Sequence, residues 1–147
     1  MLRAAERELD AAMYDYLDRT PSELAMPARL AHMSLRLWAR DVRVERCPMH
    51  VLRDLFGRFG APGALWPAHN FYSHAFGYAV RPLSMGCPCC GRVTDDEALL
   101  LSALLAKTDA QAEGALKAFL PPPAINRVRR AARTFHAELQ LAVRNAQ

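Results

Sequence analysis

Between residues 47 and 93 the 147-residue chain changes character. This stretch holds all four cysteines, three of the five histidines, six of the seven glycines and seven of the twelve aromatic residues, with Asp54 as its one acid. Glycine and proline at that density interrupt regular elements. The flanking segments instead carry apolar residues three and four apart with few glycines, which is the helical period. The expected fold is therefore mainly α: an irregular helical bundle with a looped, Cys/His-containing insert at 47–93, zinc-stabilised, with 1–147 as a single domain. A chain of this length hides enough surface on folding to support one such core. Apolar residues make up 52% and charged residues 23%, a balance that argues against intrinsic disorder. No apolar run reaches the ~20 residues that span a bilayer, and Arg3, Glu6, Arg7, Glu8 and Asp10 break up any signal-peptide core. A cytoplasmic protein with no membrane association is expected.

Leu2, Ala5, Leu9, Ala12, Met13, Tyr16 and Leu17 form one stripe at helical spacing and predict an amphipathic helix over residues 2–18. Thr20, Pro21 and Glu23 supply the N-cap, N1 proline and N3 acid of a capping box. The helix they open should bury Leu24, Leu30, Met33, Leu37 and Trp38, with Pro27 as a kink or restart. Residues 50–59 fit another helix, stopped by Gly60 and Pro62. Residues 61–92 are expected to be loop, with at most one short helix near Phe71 and one short strand near 78–83. Thr94 with Glu97 repeats the capping-box pattern, Asp95 and Asp96 suit the positive end of a helix dipole, and 99–105 is apolar enough for a central helix. Thr108 with Gln111 starts a further helix, which the triple proline at 121–123 must end. The last helix should turn Ile125, Val128, Ala132, Phe135, Leu139 and Ala142 inward.

The cysteines carry the densest chemistry. Cys47-Pro-Met-His50 offers two ligands at C-x2-H spacing, and Cys87-Pro-Cys89-Cys90-Gly91 contains a C-x2-C pair. A two-residue gap lets a tight turn aim both side chains at one ion, and zinc takes four such ligands in a tetrahedron. One zinc per chain, held by Cys47, His50, Cys87 and Cys90, is the expectation; Cys89 can stand in for Cys90, and His69 or His74 for His50. Thirty-six residues separate the two pairs, more than in a simple finger, so the intervening segment has to be an insert. An iron–sulfur cluster is less favoured, since the adjacent Cys89 and Cys90 suit different corners of one cluster poorly; haem-thiolate ligation, which Cys47-Pro48 and Cys87-Pro88 permit, is less favoured too. The same C-x2-C pair is also the spacing of a redox dithiol.

A hydrolase or glycosidase needs a nucleophile with its base, or two placed carboxylates, and the insert has only Asp54. No Gly-rich phosphate loop, G-x-S-x-G or H-E-x-x-H motif is present. Asp95, Asp96 and Glu97 read as first-turn helix charges. A binding role is expected in preference to catalysis. Residues 1–120 carry 14 basic and 14 acidic side chains, whereas 121–147 carry five and one. That excess places Arg127, Arg129, Arg130 and Arg133 as a positive strip on the last helix, suited to an anionic protein or nucleic acid. The expected function is a small regulatory or adaptor protein binding another macromolecule through that helix. The alternative is a thiol-based redox enzyme or sensor using Cys87 and Cys90.

Overall fold

The computed structural model describes residues 15–146, so most of the N-terminal stripe, from Leu2 to Met13, lies outside the described residues. Six α-helices follow one another: α1 (Ala28–Arg43), α2 (Met49–Arg58), α3 (Leu65–Tyr78), α4 (Asp95–Leu104), α5 (Asp109–Lys117) and α6 (Pro122–Asn145). The described residues form a mainly helical bundle without strands, as the periodicity predicts. None of these helices is long and apolar enough to cross a membrane.

The start of α1 differs from expectation. Pro21–Glu23 forms a single 3-10 turn, and Leu24 then turns extended. Thr20 donates its hydroxyl to the Glu23 carboxylate at 2.8 Å instead of capping a backbone amide. The helix proper begins after Pro27, whose fixed φ suits a helix start. Both α1 and α2 close with paired terminal bonds. Glu45, at φ 58°, donates to Val42 O while Arg46 donates to Asp41 O. Gly60, at φ 68°, donates to Gly57 O while Ala61 donates to Phe56 O. This left-handed closure satisfies carbonyls that the helix end leaves open.

The expectation of a looped insert at 47–93 needs correction. The stretch contains two helices of the core, and α3 runs for 14 residues where at most a short helix near Phe71 is expected. The punctuation sits where helices tolerate it. Pro62 opens a 3-10 turn that runs directly into α3, Pro67 occupies the first turn, where no amide partner is lost, and Gly77 lies at the far end. The one long irregular segment of the stretch is 79–94, and the strand expected near 78–83 does not form. Val80 donates one bond to Phe119 O, but Pro82 has no amide to donate, and the amides of Ser84 and Gly86 bind carboxylates of α4.

The core centres on α4, with Ala98 to Leu104 buried, as the apolar run predicts. The inward stripe of α6 is also the expected one: Ile125, Val128, Ala132, Phe135, Leu139 and Ala142 are all buried. The broadest helix–helix contact joins α3 to α6. Phe135 meets Phe56 edge-on at 6.1 Å and Tyr72 edge-on at 5.7 Å between ring centroids, the arrangement that aromatic quadrupoles prefer. The Tyr72 hydroxyl, whose pKa burial drives far upward, donates to Ala31 O at 2.9 Å and lies 2.6 Å from Ser34 Oγ. Helices α3, α6 and α1 are thereby tied into one core.

Candidate functional site

Residues 79–94 hang from the first turn of α4. Thr94 caps that helix in a capping box with Glu97, but Asp96 and Glu97 do more than complement its dipole. Asp96 receives both terminal nitrogens of Arg81, at 2.8 and 3.1 Å, together with the Ser84 amide at 2.6 Å. Glu97 is fully buried, and Arg36 of α1, 2% exposed, forks onto its two oxygens at 2.8 and 2.9 Å. His32, one turn earlier on α1, places Nε2 at 3.2 Å from the same carboxylate. Burial pushes the Glu97 pKa upward, but His32, Arg36 and the Thr94 amide outweigh it and hold the carboxyl well below the ordinary range.

The same arginine fixes the cysteine turn. Its terminal nitrogens donate to the carbonyls of Cys87 at 3.2 Å, Cys90 at 2.7 Å and Arg92 at 2.6 Å, while Glu97 accepts the Gly86 amide at 3.1 Å. The turn closes on itself through Cys90 N–H to Cys87 O at 2.9 Å. Its inner, backbone side is thus bound to a buried ion pair, and its sulfurs sit on the outer side. Cys87 is half-buried, and Cys89 and Cys90 are exposed. Cys87 Sγ lies 2.9 Å from Cys89 Sγ and 2.7 Å from Cys90 Sγ. Hydrogen bonds from those two thiols bring the Cys87 pKa down to about 7, and the same bonds push Cys89 and Cys90 upward.

Three of the sequence-predicted ligand residues are therefore together, and the others stand elsewhere. Cys47 and His50 are exposed at the junction of α1 and α2. Among the described residues no group of three or more His, Cys, Asp or Glu side chains is arranged to hold a metal ion. His69 accepts a hydrogen bond at Nδ1 from the Trp38 indole at 3.1 Å, and burial lowers its pKa. His74 stacks on Tyr78, with ring centroids 6.0 Å apart.

The four arginines of α6 divide into two pairs. Arg129 and Arg133 face α5: Arg129 lies 3.2 Å from Asp109 and 3.4 Å from Glu113, and Arg133 binds Asp109. Arg127 and Arg130 face α3 and line a groove of about 470 Å³ together with Trp66, Asn70 and His74. Arg127 donates to the Tyr78 hydroxyl at 2.6 Å and holds its guanidinium 5.8 Å from that ring's centroid. Trp66 is 61% exposed, and among the described residues no acidic side chain lines the groove.

Two features were not anticipated from the sequence. His32 and Arg36, one helical turn apart among apolar neighbours, carry a readable signal, since a polar pair on a helix buried all round needs a partner. Trp66 carries none, because its exposure follows from how α3 seats on α6. No protein-family model matches this chain, no curated protein matches it and no solved structure matches it.

Proposed function

We propose that this protein is a helical adaptor that binds single-stranded nucleic acid in the groove between α3 and α6. One observation carries the reading: an indole 61% exposed beside a groove whose charged side chains, among the described residues, are the arginines 127 and 130, with no acid in that lining. Base stacking on an exposed aromatic is worth about 1–3 kcal/mol per base, and the Trp66 indole offers such a face. Arg127 and Arg130 supply phosphate neutralisation, a sequence-independent attraction. The contact is narrower than a strip of four arginines. Asp109 and Glu113 already neutralise Arg129 and Arg133, which makes that pair a tie between α5 and α6.

Anisotropy of short labelled single-stranded DNA and RNA, titrated with the full chain, tests this. Single strands should bind in preference to duplex, and the Trp66→Ala variant should bind them about tenfold more weakly, the lower part of the stacking range. Equal binding of single strands, duplex and heparin, or better binding of an acidic peptide, would overturn the assignment.

A further inference from the structure

Arg36, Glu97 and the cysteine turn form a unit separate from the groove. The turn has its own support within the protein: three of its carbonyls rest on one buried guanidinium and the preceding amide on the paired carboxylate. Its thiols are left on the exposed side, two of them within 2.9 Å of the Cys87 sulfur. Two thiols held that close have already met most of the conformational cost of being joined.

We propose that Cys87 and Cys90 form a redox-active dithiol that exchanges with low-molecular-mass disulfides. The Cys87 thiolate attacks one sulfur of the small disulfide, forming a mixed disulfide and expelling one small thiolate. Cys90 then loses its proton to solvent and attacks the Cys87 sulfur. The internal disulfide forms, and the second small thiolate leaves. Each departing thiolate takes up a proton, so two electrons pass from the protein dithiol to the small disulfide, which becomes two thiols.

Cys90 is the resolving group for two reasons. Its sulfur is the nearer at 2.7 Å, and it already accepts the Cys87 amide at 3.2 Å. Cys89, at 2.9 Å, is separated from Cys87 by one residue only, so joining the two would close a smaller ring. Arg36 keeps the carbonyls of both reacting residues fixed while the sulfurs move. Cys47, exposed and outside the turn, is an internal control for ordinary thiol reactivity.

The test treats the full chain with oxidised glutathione and follows intact mass and peptide maps over time, with zinc content measured on the untreated protein. Wild type should end with an internal Cys87–Cys90 disulfide. Cys87 should pass through the mixed disulfide to the internal bond, whereas Cys47, outside the turn, should hold its adduct. Cys90→Ser should stop at the mixed disulfide on Cys87, and Cys89→Ser should behave as wild type. Because the thiols lie on the outer side of the turn, circular dichroism of both variants should match wild type. The proposal is overturned if wild type keeps the adduct on Cys87 without forming the internal disulfide, if Cys89 rather than Cys90 is the partner in that disulfide, or if copurified zinc blocks the turn until it is chelated. None of these outcomes depends on whether the groove binds nucleic acid.

Discussion

Arg36 and Glu97 are charges taken out of water, and a pair of this kind is costly to break from one side only. Removing one partner of a buried ion pair leaves the other uncompensated and costs about 3–5 kcal/mol, whereas an apolar replacement of both is often close to neutral. Here Arg36→Met should lower the urea midpoint, and adding Glu97→Leu should not restore it, because that change also removes the carboxylate that holds His32 and the Thr94 and Gly86 amides. Because the guanidinium also holds three carbonyls of the turn, Arg36→Met should make amide exchange at Gly86 and Cys90 faster. The pH dependence has a definite sign. Glu97 has a folded pKa below its unfolded value, so its contribution is complete above the ordinary carboxylate value of ~4.3 and is lost progressively as pH falls below it. Glu97→Gln should flatten stability against pH in that acid window and leave the slope above pH ~6 unchanged. Gly86 is the third member of this arrangement. A Cβ there would stand 2.6 Å from Arg36 Nη2 and 2.9 Å from Cζ. The guanidinium is fixed on its other sides and has nowhere to retreat, so Gly86→Ala should destabilise the turn; an unchanged melting temperature and unchanged exchange would contradict this.

The helices themselves show which parts of the chain could be read in advance. The stripe of α6, the central run of α4 and the caps at Thr94 and Thr108 follow directly from period and cap chemistry. Residues 61–78 do not, because the density of proline and glycine there suggests a break that their positions, in a first turn and near a helix end, do not impose. A proline in the first turn and a glycine near the end are compatible with a continuous helix. The capping pattern at Thr20 and Glu23 failed for the converse reason: its residues are right, but their side chains bond each other and the backbone turns away at Leu24. At the site, the convergence of Cys87, Cys89 and Cys90 was legible from spacing. Their clamp was not, since Arg36 reaches them across 51 to 54 positions. The gathering of Cys47 and His50 with them rested on the C-x2-H spacing of that pair, which says nothing of how α2 sits relative to the turn. The end of α1 gives a further expected outcome. Glu45 holds a left-handed φ of 58° that glycine adopts without steric cost. Glu45→Gly should leave the fold unchanged and raise stability by a few tenths to about 1 kcal/mol, less the entropy glycine adds to the unfolded chain. A measurable loss of stability would mean that the Glu45 side chain contributes something other than its backbone conformation.

Across the whole molecule, two chemistries occupy separate supports. The thiol turn rests on α1 and α4 through a buried ion pair, while the groove is made by α3 and α6, whose contact is the broadest in the bundle. The positive excess of the C-terminal segment is accordingly not uniform in effect. Half of the arginine strip is ion-paired with Asp109 and Glu113 of α5, and half lines the groove beside Trp66. Two double variants measured side by side separate the halves of the strip. The binding constant for a single-stranded oligonucleotide should be determined over a series of salt concentrations for Arg127→Gln with Arg130→Gln and for Arg129→Gln with Arg133→Gln. The first pair should weaken binding and reduce the salt slope by ~1.4, from about 0.7 per lost phosphate contact, with little change in melting temperature. The second pair should leave the slope as in wild type and loosen the packing of α5 on α6. Equal losses of slope in both variants, or a loss confined to the second, would contradict this division of the strip.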